Sequence, residues 1–196
     1  MTKDIFATLV SRRSISKFTD QPISTETLNA IIEAGTFAPV HKRTDPWRFV
    51  VFEGKGREIL SEAMAKGFQN ANADAYPEKL QKIKNKPFTA PTVVLVWCAA
   101  GRGKVNPPVW EDHAAVSACI QNMSLAAHGF GLGSIWRSGP VWEYPEVQAL
   151  CKTADGESFD AEKGDHVMGL LYIGYPDCNY PEPTRFPNPP KVEYFK

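Results

Sequence analysis

The sequence predicts a layered α/β or α+β sandwich with more helix than strand. Three observations lead there. Helix-patterned and strand-patterned stretches alternate along the chain, which places helices against a sheet. The stretch APTVVLVWCAA is apolar almost throughout, as a strand buried on both faces must be. From His113 to His128 the apolar residues run nearly all round a helix, so that helix lies centrally or in a subunit interface.

The elements follow in order. Asp4 can cap a first helix with Ile5, Phe6, Leu9 and Val10 on one face, ending near Arg12 and Arg13. TDQPIS turns the chain, and Ser24 caps a second helix with Leu28, Ile31 and Ile32 at helical spacing and Gly35 near its end. APVHKRTDPW is a proline-bounded loop, and RFVVFEG a strand closed by glycine. A helical pattern returns from Gly56 to about Met64. The polar, lysine-rich stretch from Gln69 to Lys86 predicts a solvated helical excursion. APTVVLVWCAA is the second strand, GSIW begins a third after Gly129, Pro145 to Cys151 is a short helix, and HVMGLLYIGYP a fourth strand. The proline-rich tail from Pro176, ending KVEYFK, has little of its own to pack on and is expected to cross a surface.

Bulk properties exclude several classes. The 196 residues predict one domain, 1–196, and 43% hydrophobic against 22% charged residues allows a full core. Lys plus Arg and Asp plus Glu balance at 22 each, whereas coating nucleic acid or an anionic membrane needs surplus positive charge. MTKDIFATLV has no signal-peptide pattern, and the longest apolar run is far too short to span a bilayer. Cys98, Cys119, Cys151 and Cys178 form no CxxC pair, so no disulfide framework or zinc site is expected and a cytoplasmic setting is the simplest. No histidine spacing suggests a metal pair.

Two motifs carry chemistry. SRRSISKF sets Arg12, Arg13 and Ser14 at the end of the first helix; a solvated helix terminus or a bound phosphate would each explain them. SIWRSG sets Trp136, Arg137 and Ser138 where a strand emerges, a place where binding residues collect and an aromatic, a cation and a hydroxyl side by side suit a flat polar ligand. A structural ion pair would equally explain Arg137. His41 sits among Lys42, Arg43 and Asp45, and a loop histidine taken alone is more often incidental. GFGLGS lacks the strand-then-helix order of a dinucleotide fingerprint; its glycines serve a helix cap and a turn. Two arginine–serine clusters and a histidine–lysine–arginine loop in a neutral chain together favour an anionic ligand.

In sequence order, SRRSISKF, AGTFAPVHKRTDPWRFVVFEG, GFGLGSIWRSG and GLLYIGYP resemble the nitroreductase family of flavoproteins. The closer likeness is to its small single-domain branch with H-K-x-x-x-P-W and W-R-S-G. The resemblance implies a nitroreductase-like α+β sandwich, a mostly antiparallel central sheet flanked by helices, and a homodimer with two FMN sites at the interface. It implies that Arg12, Arg13 and Ser14 hold the phosphate and pyrimidine end of FMN, that His41 approaches from the partner subunit, and that Trp136, Arg137 and Ser138 form the second cofactor segment. It further implies NAD(P)H as co-substrate and reduction of nitroaromatic, quinone or similar small acceptors in a ping-pong cycle, with no catalytic side chain singled out. The alternatives are another flavin reaction on the same fold, such as dehydrogenation or reductive removal of a substituent, and a flavin-binding protein without turnover.

Overall fold

The computed structural model describes residues 4–72, 76–180 and 191–195. Its elements are α1 (Ile5–Ser11), α2 (Thr25–Thr36), β1 (Trp47–Glu53), α3 (Gly56–Ala71), α4 (Pro77–Asn85), β2 (Thr92–Cys98), α5 (Val109–Gly129), β3 (Gly133–Arg137), α6 (Pro145–Gln148) and β4 (His166–Gly174). The expected caps are in place: Asp4 accepts from the Phe6 amide and Ser24 from the Thr27 amide, each meeting a donor that the first helical turn leaves unpaired. The polar excursion becomes the end of α3 and all of α4. Helix α5 begins at Val109, four residues before its apolar face does.

The sheet has the order β1-β2-β4-β3, and every neighbouring pair of strands is antiparallel. Beyond β3, Ser14 and Ser134 form one parallel bridge. Strand β2 is fully buried, and its side chains divide by the two-residue period of a strand. Val94 and Val96 face a layer of Ile31, Val116, Cys119 and Met123 from α2 and α5. Val93, Leu95 and Trp97 face a layer of Leu60, Met64, Phe68 and Ile83 from α3 and α4. Burying each such side chain stabilises the fold by about 1.5–3 kcal/mol. The result is an α+β sandwich with a helical layer on each side of an antiparallel sheet.

Helix α1 forms where expected, with its apolar face outward. Its apolar residues Ile5, Phe6, Leu9 and Val10 are exposed, and only Thr8 is buried. Cys98, Cys119 and Cys151 are buried, and desolvation pushes each thiol up to about 12, so they are inert core residues. Among the described residues no helix is long and apolar enough to cross a membrane. The tail's expected path falls mostly on residues 181–190, outside the described residues. Before them, the Tyr180 hydroxyl donates to the Leu132 carbonyl at 2.7 Å.

The second helical layer closes tightly because Gly67 lacks a side chain. A Cβ there would lie 2.5 Å from the Cβ of Tyr144, an atom fixed to the backbone. Gly67→Ala should therefore destabilise the protein by about 1–3 kcal/mol, despite the better helix propensity of alanine. Urea unfolding monitored by circular dichroism checks this; a midpoint equal to or above wild type would contradict the close approach.

Candidate functional site

The segment after α1 runs along the open edge of β3. The Ile15 amide donates to the Ser134 carbonyl at 3.0 Å, and Ile15 is buried against Gly133, where a Cβ would meet Ile15 at 2.9 Å. With Ile15 turned inward, Ser14 and Ser16 stay exposed. The Arg13 guanidinium folds back, its Nη1 donating to the Val10 carbonyl at 2.8 Å and the Arg12 carbonyl at 2.7 Å. Arg13 therefore does cap the helix end, and the bland reading of the cluster holds for that contact. Its Nε, however, is buried with no partner among the described residues. An unpaired buried N–H is costly, and an anion at this place would answer it. Arg12 lies near Tyr180, whose phenol is held above its ordinary value by burial against the opposing pull of the guanidinium.

At the other end of β3 the expected trio divides. Successive strand residues point to opposite faces, so Trp136 and Arg137 do not act side by side. Arg137 faces the α3–α4 layer, its guanidinium 5.2 Å from the centre of the Tyr172 ring. Burial pushes the Tyr172 phenol up to about 12, with Arg137 opposing. The indole of Trp136 donates from Nε1 to the Met168 carbonyl at 2.8 Å. That carbonyl is available because of a bulge: Val96 pairs with Gly169 and Trp97 with Val167, leaving Met168 as the extra residue. Gly169 has φ +130°, and a Cβ on it would lie 2.5 Å from the Arg137 carbonyl and 2.7 Å from the Trp136 Nε1. Trp136, Ser138, Gly139, Glu143, His166 and Met168 line a cavity of about 490 Å³ beyond the strand end. His166 also belongs to this lining, and no sequence motif marked it.

His41 is held elsewhere. It opens a 3-10 turn, His41–Arg43, and its Nδ1 lies 2.5 Å from the Glu111 carboxylate in the first turn of α5. Lys42, Arg43 and Asp45 have φ values of 56°, 54° and 44°, a region that costs non-glycine residues about 1–3 kcal/mol each. Thr44 donates at 2.6 Å to the buried Asp112, which also accepts from the Gly101 amide. The Arg12 cluster sits at the opposite end of α5, where Ser11 Oγ meets His128 Nε2 at 2.8 Å. Glu111 and His128 are about 25 Å apart along that helix. One protomer therefore brings Arg12, Arg13 and Ser14 to β3 but keeps His41 at the other end of α5 from that cluster.

A charged network also escaped the sequence. Arg102 pairs with Asp165 at 2.7 Å and with Glu157 at 2.9 Å, and Glu157 also pairs with Arg48 at 2.5 Å. Asp165 further accepts from the amides of Ala100 and Asp160. These partners lie far apart in sequence, so no local motif announces them. The network ties the end of β2 to the loop entering β4, a structural duty. No group of three potential metal ligands occurs among the described residues.

The sequence profile of the Nitroreductase family matches residues 9–175. The chain is 34% identical over 198 residues to YdjA of Escherichia coli (strain K12), whose name assigns it provisionally as an NAD(P)H nitroreductase; the match covers 98% of this chain and 100% of that one. It is 28% identical to iodotyrosine deiodinase 1 of Rattus norvegicus, over 89% of this chain and 63% of that protein. Among solved structures, a nitroreductase with bound FMN from Bacteroides fragilis NCTC 9343 superposes with a TM-score of 0.72 at 25% identity, covering 98% of this chain and all of that one.

The bulge gives a local prediction. Gly169→Ala should displace the Trp136 indole, break its bond to Met168 and open the 490 Å³ cavity, because the new Cβ meets strand backbone that cannot yield. A crystal structure of the variant with Trp136 unmoved would contradict it.

Proposed function

The chain belongs to the nitroreductase family, and from that premise we propose that it is an FMN-dependent oxidoreductase using NAD(P)H to reduce small acceptors such as nitroaromatics or quinones. The observation that carries the proposal is the arrangement along β3. Arg12, Arg13 and Ser14 lie beside its start, through the Ser14–Ser134 bridge. Trp136 and Ser138 lie towards its other end, about 7 Å and about 13 Å further along the strand. A cationic end and an aromatic end held on one rigid strand suit an elongated ligand with a phosphate at one end and a flat ring at the other.

The residues present fit FMN on that test, and the buried, unpartnered Arg13 Nε is the donor that a phosphate would satisfy. When bound, FMN supplies hydride acceptance from the nicotinamide and electron delivery to the acceptor in ping-pong order. The protein's own part is placement. Arg12 and Arg13 bind the phosphate, Ser14 offers a hydroxyl beside it, and Trp136 is fixed by its bond to Met168. Ser138 stands at the cavity mouth, while Arg137 acts from the opposite face of the strand. The whole chain, 1–196, works as one domain. Its four unpaired cysteines suit a reducing cytoplasm.

A homodimer completes the site. The His41 Nδ1–H is committed to Glu111, which leaves Nε2 for a ligand, yet the Arg12–Ser14 segment of the same chain lies at the far end of α5. A second copy with α5 reversed would bring His41 of the partner subunit to it. The exposed apolar residues of α1, together with Phe37 and Trp110, supply the surface such a contact would bury. Light scattering should return a mass near twice 21.8 kDa, and a monomer in the holoprotein would remove His41 from the site.

Absorption spectroscopy tests the reading directly. The purified protein should show flavin bands that bleach on anaerobic addition of NADPH or NADH. Arg12→Ala should weaken FMN binding about tenfold to a hundredfold, the loss of one charge-assisted contact. A colourless protein that does not take up FMN would overturn the proposal, and full FMN occupancy in Arg12→Ala would overturn the phosphate assignment.

A further inference from the structure

A second cavity, of about 480 Å³, lies between α4 and the loop that follows β3. It shares Ser138, Gly139, Pro140 and Trp142 with the first cavity, so the two are separated by one wall. Its aromatic surface comes from Phe68, Trp142 and Tyr144. Its charge comes from Lys79, Lys82 and Lys86. At 100° per residue these three fall within about 60° of one another round the helix, so the stretch that looked like a solvated charge run presents a cationic stripe to the cavity. None of the described residues lining it is acidic.

The three lysines differ in what engages them. The Lys79 ammonium lies 5.1 Å from the centre of the Phe68 ring and is occupied by that contact. Lys82 and Lys86 form no ion pair among the described residues. Lys86 is half-buried, and its ammonium is held below its ordinary value by burial and then by the neighbouring Arg137 guanidinium. Two cations set together against apolar walls repel one another, and an anion between them relieves the repulsion. Trp142 is 4% exposed, and its Nε1 is buried without a partner among the described residues. It forms part of the wall of both cavities and keeps an unused donor for a polar substituent.

We propose that this cavity is a subsite that binds an aromatic anion, with the ring between Phe68, Trp142 and Tyr144 and the acidic group on Lys82 and Lys86. The assignment rests on the lining of this cavity and stands apart from the flavin-site reading. Apolar walls supply area for the ring but no selectivity among neutral aromatics. The lysines supply the selectivity: Lys86 is half-buried beside Arg137 and an anionic substituent offsets that burial, while the exposed Lys82 adds a second charge-assisted contact.

The test titrates the FMN-loaded protein by calorimetry with 4-nitrobenzoate and with its neutral counterpart 4-nitrobenzamide. The acid should bind about tenfold more tightly, and the preference should shrink as salt rises. In the double variant Lys82→Gln/Lys86→Gln, which retains the flavin bands, acid and amide should bind alike. Equal binding of the two by the wild-type protein would overturn the proposal, as would an acid preference that survives in the double variant. A double variant that loses NADPH affinity while keeping its acid preference would assign the lysines to the phosphates of the dinucleotide instead, and would also overturn it. A colourless protein that still prefers the acid through Lys82 and Lys86 would sink the flavin reading and leave the cavity assignment standing. Yellow protein, bleached by NADPH but indifferent to the charge of the ligand, would do the reverse.

Discussion

Both faces of β2 are dry, and that constraint organises the rest of the molecule. A strand covered on both sides sends alternate side chains into two separate apolar layers. Val94 and Val96 belong to the α2–α5 layer, and Val93, Leu95 and Trp97 to the α3–α4 layer. The same alternation carries through β4 to β3 by antiparallel pairing: Leu171, opposite Trp136, belongs to the first layer, while Leu170, opposite Arg137, belongs to the second. The neighbours Trp136 and Arg137 are thus assigned to different sides of the sheet. Arg137 comes to Tyr172 and Lys86, and Trp136 is left to the face shared with α5. Two cavities that share one wall follow from a period of two.

The bulge at Met168 adjusts that regular lattice at one point. An unbroken ladder would pair the Met168 carbonyl, so the Trp136 indole would need another acceptor. Inserting one residue frees the carbonyl, and glycine at 169 makes room for the ring that reaches it. Nearby, the Arg102–Asp165 pair anchors the start of the same strand. A buried ion pair adds little net stability, but removing one partner costs about 3–5 kcal/mol. Its effect is to fix where β4 begins, and with it the register that places the bulge beside Trp136.

Much of this was legible in the sequence. The four strands were found because their apolar runs are short, β-branched and bounded by glycine or proline. Ser24 and Asp4 announced their helices because a cap is a local device. The glycines after α5 were rightly denied to a dinucleotide, since a helix precedes them and a strand follows. The start of α5 was misplaced because Pro108 caps it and its first turn, Val109 to Asp112, is not apolar on the core side. The division of Trp136 from Arg137 was implicit in strand periodicity, but a motif quoted as a string hides which face each residue takes. The Arg48–Glu157–Arg102–Asp165 network had no local signature. Nor did the lysine stripe of α4, because the excursion is only a polar run until a cavity exists for it to face.

The loop at His41 shows why strain and anchoring belong together. Lys42, Arg43 and Asp45 all occupy the left-handed region without being glycine, a conformation that persists only where its surroundings over-determine it. The surroundings here are two consecutive carboxylates. Glu111 holds His41 and Asp112 holds Thr44, and both stand in the first turn of α5, where the helix dipole favours negative charge by about 0.3–1 kcal/mol each. Acids at a helix start are common, but here they also grip the chain on either side of the strained residues. A loop meant only to connect α2 to β1 would relax to ordinary backbone angles. This one is fixed at both flanks, with His41 committed through Nδ1, so the imidazole is presented in one orientation at the exposed end of the longest helix. Within one protomer the Arg12 cluster lies at the other end of α5, about 25 Å from Glu111 along the helix. In the homodimer proposed above, a second copy with α5 reversed would carry that fixed ring to the cationic end of β3.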